Sequence, residues 1–312
     1  MTTATVPGKI ILFGEHAVVY GRPAIAVPVR GVSARVEVSE IRGATPGEIF
    51  ISAPEIHLHQ WLHHVPAEHP LANIIGLTLA ELKIKRHPAL HIRINSTIPI
   101  SAGLGSGAAV SVGIARCLSD YLGKPLSRDR QSALALETEK IHHGTPSGID
   151  TTVVTYEEPL YFVKGKDPER IRIAAPLTLA IGDSGIATPT ANAVAMVRKA
   201  WERDRVQFEA LFDSIEQTVD RAREMLESGT GHDLGPLMDH NHALLERIGV
   251  SSAVIRQLVQ AAKSAGARGA KLSGAGLGGN VVALTDADHI EQVVIAMLRS
   301  GAVWTHRFEL GT

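Results

Sequence analysis

Apolar and polar positions alternate through the first third of the chain. Lys9–Phe13, Ala24–Pro28, Ser33–Val38, Glu48–Ser52 and Ala89–Ile94 are short, rich in β-branched residues and bounded by Gly, Pro or Asn, which predicts strands of a mixed or antiparallel sheet. The period changes at Ser106. Ala109, Val112, Gly113, Arg116, Cys117 and Tyr121 recur at helical spacing as far as Gly123, so a strand runs through a glycine-rich turn into a helix. Ser127 opens a second helix that reaches His143, with Arg130 where a capping box would carry Glu. The breaker Gly144-Thr145-Pro146-Ser147-Gly148 follows, and Asp150 sits just beyond it.

From Ile171 onward the pattern predicts a strand at Leu177–Ile181 and helical segments over Ala191–Leu226, His232–Arg247 and Ser252–Ser264. A strand at Ala270–Leu272, a glycine loop, a strand at Asn280–Leu284, a helix from Ala287 and a last strand near Val303–Phe308 complete it. Strands and helices mix in an α+β manner. At 312 residues the chain exceeds the usual size of a single core, which predicts two lobes. The charged stretch Lys164–Arg172 places their boundary near position 170, giving lobes 1–170 and 171–312.

Composition narrows the function. Aromatic residues make up only 4% of the chain, and 31 basic residues face 32 acidic ones for a net charge of −1. Neither stacking platforms nor a basic footprint for nucleic acid or anionic lipid is expected, so the partners are small molecules. Cys117 is the single cysteine, which removes any intrachain disulfide and fits a reducing, cytoplasmic setting. Apolar runs fall short of the roughly 18 residues of a membrane span, so a soluble protein with no membrane partner is expected. The region Ile56–Pro70 gathers His57, His59, His63, His64 and His69. A metal site there is weighed against a solvated amphipathic helix, and the helix is preferred because no cysteine or patterned carboxylate joins the imidazoles.

Three segments carry candidate chemistry. The first is Ser96-Thr97-Ile98-Pro99-Ile100-Ser101-Ala102-Gly103-Leu104-Gly105-Ser106-Gly107-Ala108, which leads into a helix. Clustered glycines let backbone N–H groups turn toward one point, and a helix N-terminus adds unpaired donors and partial positive charge, so phosphate is the natural guest. The plainer reading is a tight turn whose glycines only permit close packing. A dinucleotide fingerprint also fits Gly103, Gly105 and Ala108, but no second strand ending in an acidic residue follows. Gly274, Gly276 and Gly279 fit it too, but they lead into a strand, and neither loop closes with the Lys-Ser/Thr pair of a Walker A motif.

The second segment runs from Pro7 to Gly21. Lys9 lies on a strand that ends at Gly14, and Glu15 and His16 follow on the turn; the alternatives are a polar-ligand site or an edge-strand lysine with two ordinary loop residues. The third runs from Glu139 at a helix end to Asp150 after the Gly/Pro turn. Two such carboxylates can divide metal ligation and base catalysis, or simply cap and solvate.

Together with Lys271-Leu272-Ser273-Gly274-Ala275-Gly276-Leu277-Gly278-Gly279-Asn280, these segments resemble the motifs of the GHMP kinase superfamily in order and spacing. Gly14-Glu15-His16-Ala17-Val18-Val19-Tyr20-Gly21 and the stretch Asn241–Ser251 are similar to the branch that phosphorylates mevalonate. The resemblance implies a two-lobed α+β fold with mixed or antiparallel sheets flanked by helices, an active site in the cleft between lobes, and an ATP-binding N-terminal lobe. It implies ATP as co-substrate, Mg²⁺ as cofactor and a small hydroxylated carboxylate as acceptor; a homodimer is compatible with it. Asp150 would act as base, with Lys9 beside it. Ser96, Ser101, Ala102, Gly103, Leu104, Gly105, Ser106, Gly107 and Ala108 would bind ATP, and Glu15, His16 and Thr188 the acceptor. Glu139, joined by Ser106, would hold the metal, and Gly274–Gly279 would support the phosphate loop.

Two departures qualify the resemblance. The family loop commonly reads Gly-Leu-Gly-Ser-Ser-Ala, whose second serine gives Mg²⁺ a hydroxyl, whereas this chain has Gly107 there; water or Ser106 would then complete the shell. Related kinases often place Ser-Thr-Lys after the strand that ends near Asp183, and here Thr188 or Thr190 stands without the lysine. A homoserine or sugar kinase is therefore the rival enzyme, and an ATP-binding regulator without activity the rival of another class. Lys9, Glu139 and Asp150 together speak against the regulator, which has no use for both a metal carboxylate and a base.

Overall fold

A computed structural model describes residues 1–100, 102–143 and 146–311. They form two compact units: residues 1–8, 31–99 and 105–157 make the first, and residues 9–30, 100–104 and 158–312 the second. Two long strands, β1 (Thr2–Phe13) and β2 (Ala24–Glu40), pass from one unit into the other and pair with each other.

In the first unit, β3 (Ile49–Ala53), β4 (Leu58–Trp61), α1 (Pro70–Glu81), β5 (Leu90–Ser96), α2 (Ser106–Tyr121), α3 (Arg128–His143) and α4 (Ile149–Tyr156) follow one another. β3 lies antiparallel to β4 and parallel to β5, and β5 is antiparallel to the second half of β2, giving the mixed sheet that alternation predicts. Residues two apart share a face. Val36, Val38, Ile49, Ile51, Leu90 and Ile92 accordingly pack with Ile74 and Ile75 of α1 and Ile114 and Leu118 of α2. Each such side chain contributes about 1.5–3 kcal/mol on full burial.

Three local expectations change. The predicted strands Ala24–Pro28 and Ser33–Val38 are one strand, because Gly31 takes a left-handed φ of 88° and lets β2 continue. The histidine-rich region is not an amphipathic helix: it is a 3₁₀ turn at Pro54–Ile56, strand β4 and a second 3₁₀ turn at Leu62–His64. Pro54 and Pro66 limit helical propagation, and Ser52 Oγ joins His59 Nδ1 at 3.0 Å and His91 Nε2 at 2.7 Å. Asp150 does follow the breaker, but it stands in the first turn of a helix, α4, that the sequence pattern does not predict. The run Thr151–Thr155 is poor in helix propensity, but the hydroxyls of Thr151 and Thr152 donate to Gly148 O and that of Thr155 to Thr151 O, and the helix packs on α2 and α3.

In the second unit, β6 (Leu160–Phe162) pairs with the first half of β2 and with β7 (Glu169–Arg170). There follow β8 (Leu177–Asp183), α5 (Thr190–Arg203), α6 (Arg205–Ser228), α7 (Gly235–Ile248), α8 (Ala253–Ser264), β9 (Gly269–Ser273), β10 (Asn280–Thr285), α9 (Ile290–Arg299) and β11 (Trp304–Leu310). An antiparallel sheet of order β11-β8-β10-β9 is covered by α8 and α9, while α7 packs on β9. The helical stretch predicted at Ala191–Leu226 divides at Asp204, whose carboxylate accepts Gln207 N–H at 3.0 Å and caps α6. Among the described residues no helix is long and apolar enough to cross a membrane.

Candidate active site

β1 ends in a turn that only glycine can open. Gly14 has φ 97°, and a Cβ there would lie 2.5 Å from Ala24 Cα and from Pro23 O. The next two side chains turn inward. Glu15 is fully buried and its Oε1 accepts from Lys271 Nζ, while Oε2 is buried without a hydrogen-bond partner. Burial pushes the Glu15 carboxyl up and the Lys271 ammonium down, and their mutual contact works against both shifts. His16, a non-glycine residue at φ 61°, donates Nε2–H to Ala275 O at 2.8 Å. That bond fixes the tautomer of the neutral ring and leaves Nδ1 as an acceptor; burial lowers the ring's proton affinity, and the bond to Ala275 offsets only part of that.

The same unit holds the first half of the glycine loop. Lys9 is buried on β1, its Nζ donates to Gly103 O at 3.2 Å and its backbone N–H to Leu104 O at 2.9 Å. Asn280 at the start of β10 donates its side-chain amide to Ala102 O. Ala102 and Leu104 are buried and Gly103 is exposed with φ 76°, so the loop is pinned by its carbonyls from two strands. Ser101 lies outside the described residues. Thr188 is half-buried in the segment between β8 and α5.

In the first unit the loop becomes a helix. Gly105, at φ 73°, is the N-cap of α2 and no side chain caps it, so the first N–H groups of a 16-residue helix remain available with their partial positive charge. Ser106 is half-buried, Gly107 exposed and Ala108 buried. Ser96 ends β5, its Oγ accepting Ile98 N–H at 3.2 Å and its N–H donating to Glu55 at 2.9 Å. Glu139 is half-buried near the end of α3, and Asp150 is half-buried in the first turn of α4.

Sequence reasoning names three further residues only as members of the last motif and gives them no individual role. Lys271 meets Glu15, Asn280 holds the glycine loop, and Ser273 Oγ donates to Ile11 O at 2.8 Å. One signal was available: Lys271 stands between Ala270 and Leu272 in the middle of a predicted strand, and a lysine that such a strand buries demands a partner.

The chain matches the GHMP kinases N terminal domain over residues 72–158 and the GHMP kinases C terminal domain over residues 207–302. It belongs to the GHMP kinases. Among its relatives, the mevalonate kinase of Pyrococcus furiosus is 35% identical over 90% of this chain and 88% of its own. That of Saccharolobus solfataricus is 34% identical over 91% and 90%. The crystal structure of L. major mevalonate kinase in complex with R-mevalonate superposes with a TM-score of 0.84 at 30% identity, covering 99% of this chain and 96% of the other.

Proposed function

We propose that this chain transfers the γ-phosphoryl group of ATP to the C5 hydroxyl of mevalonate, yielding 5-phosphomevalonate and ADP, a step of isoprenoid synthesis. The observation that carries this reading is identity of 33–35% with the mevalonate kinases of three Pyrococcus species over 90–96% of this chain. The rival sugar-kinase reading has less behind it, since a galactokinase with bound galactose matches at only 17% identity.

In this reading Asp150 accepts the hydroxyl proton as the oxygen attacks the γ-phosphorus and the bond to the bridging oxygen of ADP breaks. Lys9 offsets charge on the attacking oxygen, which suits a loose transfer state governed by position and electrostatics. Ser96 and the segment 101–108 bind ATP: Lys9 and Asn280 hold the loop by its carbonyls, and the uncapped N-terminus of α2 receives phosphate oxygens. Glu15, His16 and Thr188 belong to the acceptor end. The N-terminal lobe over 1–170 is the ATP-binding part and 171–312 the C-terminal part, in a cytoplasmic protein.

Glu139 and Ser106 are half-buried hard-oxygen donors, and no group of three or more His, Cys, Asp or Glu that could hold a metal occurs among the described residues. Such a donor set fits an ion shared with nucleotide phosphates and water, as Mg²⁺ prefers. When bound, Mg²⁺ neutralises charge on the transferring phosphates.

The test is product identification after incubation with ATP, Mg²⁺ and separate acceptors: mevalonate, homoserine and galactose. Phosphomevalonate is the expected main product. Turnover of homoserine or galactose with no detectable phosphomevalonate overturns the substrate assignment.

A further inference from the structure

Phosphoryl transfer as described has no use for Lys271. Its side chain is fully buried, it donates to Glu15 Oε1 and to Leu272 O at 2.7 Å, and its ammonium lies 5.9 Å from the centre of the Phe13 ring. A buried ion pair is a weak source of stability, because desolvation offsets the attraction and apolar residues of similar volume often serve as well. The surroundings point to another role.

Three contacts run from β9 and its following loop to the end of β1 and its turn: Lys271 to Glu15, Ser273 Oγ to Ile11 O at 2.8 Å, and Ala275 O to His16 Nε2 at 2.8 Å. They converge on a turn in which His16 holds φ 61° and ψ −47°. A side-chain-bearing residue keeps such a backbone only where its surroundings over-determine it. Lys271 anchors the residue immediately before His16, and removing its charge would leave the buried Glu15 with only the weaker attraction of the Lys9 ammonium to balance it.

We propose that Lys271 is a positioning residue for the acceptor: through Glu15 it fixes the turn that carries His16, without touching the substrate. The proposal rests on the reading that this turn lies at the acceptor end.

The test uses the full chain in two variants, Lys271→Met and the charge-free pair Glu15→Gln/Lys271→Met. The single variant should melt lower than the wild type, since it strands a buried carboxylate. The double variant should regain most of that melting temperature; because Glu15 is itself assigned to the acceptor end, binding is read on Lys271→Met, whose KM for mevalonate should rise by about tenfold or more as the turn is misplaced. Its KM for ATP should stay within about twofold of the wild type. A Lys271→Met variant with wild-type KM for mevalonate, or one whose two KM values rise together, overturns the proposal. A wild-type structure with bound mevalonate decides the matter without variants: Glu15 leaving Lys271 to bind the substrate, or Lys271 reaching it, refutes a positioning role. Failure of the wild type to phosphorylate mevalonate removes the functional reading alone. The variants are then compared on whichever acceptor the panel identifies.

Discussion

His242 shows how one buried side chain ties stability to pH. Its Nδ1 accepts Leu272 N–H at 3.3 Å, which holds the ring neutral with the proton on Nε2, and Nε2 is buried without a hydrogen-bond partner. Burial, aided by the nearby Lys271 ammonium, pushes the imidazole down to about 4. The folded state thus prefers the neutral form more strongly than the unfolded state does. The stabilisation is present above the ordinary value of 6.5 and is lost as pH falls toward about 4. A gap of that size corresponds to roughly 3 kcal/mol in full, of which about 2.5 kcal/mol is lost by pH 4.5. Urea unfolding at pH 7.5 and pH 4.5 should show the wild type losing more stability than His242→Gln by that order; equal losses would clear His242. Nothing in the helical pattern around His242 announces this, because the bond to Leu272 joins residues 30 positions apart.

Packing between elements distinguishes two glycines of α2 that look alike in sequence. A Cβ on Gly113 would lie 2.8 Å from Val36 Cγ2 and 3.7 Å from Val6 Cγ2, and a β-branched strand residue has little rotamer freedom to yield. Gly113→Ala should therefore cost about 1–2 kcal/mol despite alanine's better helix propensity. At Gly107 a Cβ would meet nothing within 4 Å, so Gly107→Ser should be neutral or stabilising by up to about 0.5 kcal/mol. Thermal unfolding of the two variants checks the contrast, and a loss of similar size in both would refute it. The start of α2 is legible because the apolar period changes after a glycine cluster. The close approach of α2 to β2 is not, since it depends on which strand the helix meets. Helix α4 is hidden for a related reason: its β-branched threonines oppose a helix by propensity, and only their bonds to backbone carbonyls and the packing of α2 and α3 reverse that.

Across the whole molecule, the order of four motifs along the chain is what sequence reveals best, because each is local and chemically marked. What joins them is long-range. The Lys271–Glu15 pair spans 256 positions and the Asn280–Ala102 bond 178, and no periodicity links such partners. The proposed division of labour can be tested at this scale with one substitution. Asp150 is assigned proton acceptance, while ATP is assigned to the glycine loop and the N-terminus of α2, so chemistry and nucleotide binding should separate in Asp150→Asn. Loss of a general base lowers turnover by roughly 10²–10⁴-fold. Binding of ATP to the folded state alone should still raise the melting temperature, by an amount set by its concentration relative to Kd. Rapid-quench turnover and thermal shift at matched ATP concentrations measure the two halves. Near-normal turnover would remove Asp150 from the role of base, and loss of ATP protection together with turnover would move it from proton acceptance to nucleotide binding.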